Sequence, residues 1–433
     1  MKFPKHDSDI GINPLNEKNK TLTGKDFFVI WSSLGVGLLV FSAGSFLSNA
    51  RFLDSIIAII IGSLVGSLLL ALAGKIGSDH GIPSLISMRP SFGICGSYLP
   101  AILNIIQLIG WTTFEIMIIS KSAEALLGAN YTLHLVLTFL IGALVTFIGV
   151  TGPITIIKKG ITKFAIWIVY ASSAIIVISL IMSGSFSKVI SSPGNGMSFF
   201  SALDIVIAMP ISWMPLVSDY NRFATNSKSA FRGTFLGFAI TNMLFYFGGV
   251  LMGVSDIVAL ISAIQSLVFG FLLLIILVDE TDNAFADVYS AAVSTQSIIR
   301  NINQRYLIIA FMCLSTILAI VIPIIEYETF LLLIGSVFVP LFGVVLADYY
   351  IVKRRVYSEN MMYGKETKKV GYPAIVAWIF GILLYYLLSS ISPIYVSSWP
   401  TIGATIPSFI LSSLAYLAII YRRKVKHQIK KLH

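Results

Sequence analysis

Pro210-Ile-Ser-Trp-Met-Pro215 lies inside an otherwise apolar stretch, residues 200–220, and each of its two prolines removes a backbone donor and frees a carbonyl one turn earlier. In lipid an unpaired peptide group has no water to turn to, so a span that breaks its own helix is expected to line a cavity enclosed by protein. A second stretch, residues 27–48, holds Ser32, Ser33, Gly35, Gly37, Ser42, Gly44 and Ser45, small residues that permit unwinding or close helix approach. Working outward, twelve apolar spans can be placed near 27–48, 53–75, 98–120, 132–151, 163–183, 200–220, 231–254, 259–283, 305–325, 328–350, 372–391 and 401–421. The two interrupted spans are then the first and the sixth. If the chain holds two five-span repeats, an odd number of crossings makes the second enter from the opposite side. Paired breaks at matching positions of inverted repeats point to a substrate site at the bilayer midplane.

Composition agrees with a membrane fold. Of 433 residues, 56% are hydrophobic and 12% charged, and the mean hydropathy of +0.88 is more than a water-soluble core of this length could hide. The apolar runs are continuous rather than alternating, which selects an all-α integral membrane protein over a closed barrel. With the N-terminus inside, every Lys and Arg except Arg51, Lys121 and Lys188 falls on the cytoplasmic side, and both termini are expected there. The net charge of +10 therefore reports topology rather than nucleic-acid binding, and the expected location is the plasma membrane. Cys95 and Cys313 suggest neither a disulfide framework nor a thiolate metal site. Met1 to Gly24 lacks the apolar core of a cleaved signal peptide, and the first span is long enough to remain as an anchor. The expected organisation is a cytoplasmic segment at 1–26, repeats at 27–183 and 200–350, two peripheral helices at 372–421, and a basic tail at 422–433.

Polar groups inside the spans narrow the function. Gln107, Trp111 and Glu115 recur every four residues, stacking an amide, an indole and a carboxyl on one helix face. Such a face suits a flat, hydrogen-bonding ligand; the bland reading is a packing aromatic and an internal ion pair. A glutamate left charged at the bilayer centre costs about 2.5–3.5 kcal/mol, so it needs a partner or a task. The eighth span runs into Asp279-Glu280-Thr281-Asp282-Asn283. If the helix continues past Asn283, Asp279 and Glu280 lie deep enough to bind a cation or carry a proton; otherwise they cap the helix near the surface. No G-x-x-x-x-G-K-[ST] motif is present, so no ATPase is built in. Asp282 and Asp287 are five residues apart, roughly 140° around a helix, a poor geometry for sharing one Mg²⁺.

Several strings taken together resemble the nucleobase:cation symporter-1 family: Gly81-Ile-Pro-Ser with Arg89-Pro-Ser-Phe-Gly93, Ile109-Gly-Trp111, Ser218-Asp-Tyr-Asn-Arg222-Phe, Asp282-Asn-Ala and Ala347-Asp-Tyr349. Within it, Met209-Pro-Ile-Ser-Trp-Met-Pro-Leu, Asp279-Glu-Thr-Asp-Asn-Ala and Gly335-Ser-Val-Phe-Val-Pro-Leu-Phe-Gly look like the hydroxymethylpyrimidine (thiamine precursor) branch, beside the cytosine permeases. The resemblance implies a leucine-transporter-type fold, a five-plus-five inverted repeat with two added helices, alternating access and cation-coupled uptake. It implies that Trp111 stacks on the heterocycle and that Ser212 contacts it. The second stacking aromatic of the sixth helix aligns with Pro210, leaving Trp213 one turn on to serve. Gly37 and Phe41 fall at the first-helix side of a cation site, through their carbonyls, and Asp279 and Glu280 replace the family's eighth-helix threonines.

The expectation is a secondary active importer, not an enzyme, with no cofactor and with Na⁺ or H⁺ as coupling ion. Its partners are a small heterocyclic substrate, a coupling cation and the bilayer, with no nucleic acid. Hydroxymethylpyrimidine or cytosine is expected first, and another nucleobase or an allantoin- or hydantoin-like compound second. A membrane-embedded enzyme acting on lipid, motivated by the eighth-span carboxylates, and a transporter-like receptor are the readings from other classes.

Overall fold

The computed structural model of the chain describes residues 11–128, 131–151, 161–182, 185–253, 257–266, 271–322, 327–364, 367–389, 392 and 402–432. Among these residues the backbone is helical apart from its connections and one bridge between Leu22 and Ala224. The first span is a helix pair, α1 (Gly24–Ser33) and α2 (Leu38–Phe46), bent by 63° across a break of four residues. Then follow α3 (Phe52–His80), α4 (Tyr98–Leu127), α5 (Tyr131–Thr151) and α6 (Ile161–Met182). The sixth span is again a pair, α7 (Phe199–Ser212) and α8 (Val217–Asn221), followed by α9 (Ser227–Met252). After a separate helix at Ile257–Ser266 come α10 (Phe271–Ile298), α11 (Gln304–Val321), α12 (Tyr327–Leu346), α13 (Tyr372–Leu388) and α14 (Thr405–Leu432). All twelve expected spans are represented.

Local chemistry sets the ends. Thr23 and Asp26 form a capping box that starts α1, the Thr23 N–H donating to Asp26 Oδ2 at 2.8 Å. Gly81 and Gly253 close α3 and α9 at φ of +66° and +62°, left-handed positions that favour glycine. Of the two readings of the eighth span, the structure takes the first: α10 runs on past Asn283 to Ile298, beyond the expected end at 283, so its acids sit inside a continuous helix.

Packing repeats with a period of five spans. The first span lies on α9, and α7 of the sixth lies on α3; α4 meets α5 as α10 meets α11; α4 meets α11 as α10 meets α5; and α1 meets α6 as α7 meets α12. The α3–α9 and α4–α10 pairs map onto themselves. Exchanging each span with the one five later therefore preserves these contacts, as an inverted repeat requires. Helices α13 and α14 pack on α12, outside this relation. Glycines set the closest approach: a Cβ on Gly44 would lie 2.5 Å from the Tyr246 carbonyl oxygen, and one on Gly237 2.5 Å from that of Phe28. Large apolar side chains cover the outside, with Phe147 71% and Val321 72% exposed, a surface made for lipid rather than water.

Several of the motifs that carried the family resemblance form a polar scaffold on the side where the basic loops gather. Ser218 Oγ takes the Gly77 N–H at 3.1 Å and donates to the Ala73 carbonyl at 3.1 Å, joining α8 to α3. Asp219 accepts from the Ser84 N–H at 2.9 Å. Asn221 holds the Trp31 indole N–H at 2.9 Å and donates to Thr234 at 3.0 Å, while buried Arg222 donates to Tyr289 and to the Gly11 carbonyl. Further out, Asp79 collects Lys75, Ser227, Tyr349 and Arg355, tying α3 to α9 and to the turn after α12. These bonds satisfy backbone and side-chain groups that would otherwise be stranded.

Candidate functional site

The break in the first span, residues 34–37, is held open by α10. The Leu38 N–H donates to Glu280 Oε2 at 3.3 Å, and Asn283 Nδ2 donates to the Val36 carbonyl at 2.8 Å. Ser33 Oγ reaches Asp282 Oδ2 at 3.4 Å. Glu280 and Asn283 are three apart, hence neighbours on one helix face, and together they grip a donor and an acceptor that a continuous helix would have paired internally. Gly37 is extended, with φ 164° and ψ 150°, and a Cβ there would lie 3.1 Å from Glu280 Oε2. A side chain at this position would push the carboxylate away.

The break in the sixth span follows from its own prolines. Pro210 sits within α7, and α7 stops at Ser212; Trp213 and Met214 make only short-range bonds to Pro210 and Ile211, and Pro215 has no N–H to continue the helix. Gln107 of α4 steadies this turn, donating from Nε2 to the Ser212 carbonyl at 3.1 Å and to Asn104 Oδ1 at 2.7 Å. Asn104 in turn donates to Ser294 of α10 at 2.9 Å. Each break is thus read by one helix of the pair at the centre of the inverted repeat, the first by α10 and the second by α4.

On α4 the Gln107–Trp111–Glu115 face is buried. The Trp111 indole meets Phe330 of α12 edge-on at 5.4 Å, and Phe330 is also 5.3 Å from Phe114. One turn along, the Glu115 carboxyl is within hydrogen-bond reach of Glu280. Oxygens Glu115 Oε2 and Glu280 Oε1 receive no N–H or O–H donor among the described residues, and neither do Gln107 Oε1 and Asn283 Oδ1. Two carboxyls in contact away from water cannot both be ionised, so this pair calls for a positive charge, either a proton or a cation, between or beside them.

The structure therefore brings together Gly37, Glu280 and Glu115 in one group and Gln107 and Ser212 in another. Ser212 turns its hydroxyl back to the Met209 carbonyl at 2.7 Å, so what it presents to α4 is its carbonyl. Trp213 lies edge-on to Trp31 at 6.1 Å. The Phe41 ring packs on Phe245 of α9 at 4.7 Å, and its carbonyl accepts the Ser45 hydroxyl at 3.1 Å. The side chain of Asp279 lies outside the described residues. Asn104 and Ser294 escaped the sequence reading, and Asn283 was quoted there without a role. The signal available was spacing: Glu280, Asn283 and Asp287 fall on one face of α10, as Asn104, Gln107 and Trp111 do on α4.

Comparison with known proteins agrees with this architecture. A family model described as "Permease for cytosine/purines, uracil, thiamine, allantoin" matches residues 14–411. Allantoin permease of Bacillus subtilis is 24% identical over 420 residues, covering 86% of this chain and 85% of that protein. Cytosine permease of Escherichia coli is 25% identical over 388 residues, covering 83% and 85%. Among solved structures, Mhp1, a nucleobase-cation-symport-1 family transporter in a closed conformation with bromovinylhydantoin bound, superposes with a TM-score of 0.77 at 18% identity, covering 95% of each chain.

Proposed function

The chain belongs to the family of permeases for cytosine, purines, uracil, thiamine and allantoin, and from that premise we propose that it imports a planar aminopyrimidine by cation symport, hydroxymethylpyrimidine first and cytosine second. It is a membrane transporter rather than an enzyme. The observation that carries the finer reading is the α4 face: an indole plane at Trp111 with a carboxyl one turn away at Glu115, itself in reach of Glu280. Aromatic planes bind heterocycles by stacking, and a carboxyl pairs with an exocyclic amine beside a ring nitrogen. Gln107 and Ser212 read a second polar edge, Trp213 closes the stack, and Glu280, with Asp279 and the carbonyls of Gly37 and Phe41, couples a Na⁺ or H⁺ to the cargo. Residues 27–183 and 200–350 act as the two repeats that rock about the site. The distribution of Lys and Arg supports an orientation with both termini cytoplasmic.

A thermal-shift panel of hydroxymethylpyrimidine, cytosine, uracil, allantoin and hydantoin on the purified chain tests the substrate class, since a ligand bound only by the folded state raises stability by mass action. The two aminopyrimidines are expected to stabilise most, and Trp111→Ala to abolish the shift. The second reading, an allantoin or hydantoin cargo, is favoured by the names of the relatives, and a shift with those compounds alone would select it.

A further inference from the structure

On the side of the basic loops a cavity of about 450 Å³ opens between the ends of α12, α13 and α14, away from the substrate site. Four cationic side chains from three segments line it: Lys353 from the turn after α12, Lys368 from the approach to α13, and Arg423 and Lys424 from α14. None of the four is ion-paired among the described residues. The single acid in the wall, Asp348, is buried, and each of its oxygens is taken by a tyrosine, Tyr357 at 2.9 Å and Tyr416 at 2.6 Å. Lys353 and Lys368 act on it only through space. The wall thus carries a surplus of positive charge, with the acid's lone pairs committed elsewhere.

The surroundings say where an anion would come from. Ile351, Tyr372 and Tyr421, each next in sequence to a lining residue, are 60%, 65% and 70% exposed and stand on the outer surface of the bundle. Tyrosines with an apolar body and a polar tip are typical of the headgroup level, and basic pockets between helices at that level hold lipid phosphate. We propose that this cavity binds the phosphate headgroup of one anionic phospholipid from the adjacent leaflet, with Lys353, Lys368, Arg423 and Lys424 as its ligands and the acyl chains lying along α13 and α14. The site ties the two helices outside the inverted repeat to the membrane while the repeats move.

The test uses the purified full chain with dioctanoyl phosphatidylglycerol, dioctanoyl phosphatidylcholine and inorganic phosphate, read by native mass spectrometry and thermal stability, with no transport substrate needed. One phosphatidylglycerol is expected to be retained saturably and to stabilise the protein. Lys368→Gln with Arg423→Gln should weaken that binding tenfold or more, whereas Lys368→Arg with Arg423→Lys, or Lys228→Gln with Arg232→Gln elsewhere on the same face, should not. All four substituted side chains are exposed, and the midpoint measured without lipid reports on folding separately. Equal binding of phosphatidylcholine, equal stabilisation by inorganic phosphate alone, or a double glutamine variant that binds as tightly as the natural chain would each overturn the assignment.

Discussion

The two broken spans differ in what keeps them broken. In the first, no proline intervenes: Leu34 to Gly37 leave the helix because Glu280 and Asn283 of α10 supply partners for the exposed N–H and carbonyl, and because Gly37 has no side chain to keep the carboxylate out. In the sixth, Pro210 and Pro215 forbid continuity whatever the neighbours do, and Gln107 only steadies the turn. One break is conditional on a titratable group of another helix, the other is covalent. In the transport cycle proposed above, the first break would respond to the coupling ion at Glu280 while the second persists regardless.

The comparison can be broken at four points, taken from the largest expected effect downward. Gly37→Leu should displace Glu280 from the Leu38 N–H and lower the initial uptake rate in vesicles about a hundredfold, near 2.7 kcal/mol; uptake above half the natural rate would mean that the first break does not depend on that contact. Pro210→Ala or Pro215→Ala alone should each leave uptake within about threefold, because the remaining proline and the turn at 213–216 persist, whereas the double replacement should lose about tenfold. A single proline variant as inactive as the double would refute the redundancy claimed for the sixth span. Gln107→Ala should cost about 1 kcal/mol in denaturant or thermal unfolding, the ordinary worth of an interhelical hydrogen bond in a membrane protein. A loss of several kcal/mol there would make Gln107 a cause of the break rather than a brace. Smallest of all, Tyr170→Phe removes a hydroxyl that joins α6 to Ser32 at 2.8 Å and Thr241 at 2.6 Å, and should lower stability by about 0.5 kcal/mol with uptake intact.

A second contrast, between the scaffold and the site, explains how much of each was legible. The strings that made the family recognisable, from Ser218 to Arg222 and around Asp348, turn out to stitch helices together away from the midplane, where each side chain has a fixed partner and little freedom to vary. The candidate site residues follow only a four-residue spacing on α4 and a three-residue spacing on α10, patterns that a packing face also shows. Trp111, Gln107 and Glu115 could be read as one face, but that the Gln107 amide N–H would reach the Ser212 carbonyl could not. Likewise Ser212 was legible as the middle residue of a broken helix, yet its hydroxyl folds back on Met209 while its carbonyl does the reaching. Asn283 stood in the quoted acidic string without a role because its partner, Val36, is 247 residues away.

Hydropathy, helix breakers and the placement of Lys and Arg depend on the chain's own order, so the sequence by itself set no distances but did determine the number of spans, their all-helical character and the two points of rupture. The meeting of Glu115 with Glu280, and of Glu280 with the peptide after Gly37, belongs to the tertiary structure alone. Those contacts join residues on three separate spans, and which acid faces which break depends on how helices rotate and cross when glycines let them approach, a matter of packing that no local pattern encodes.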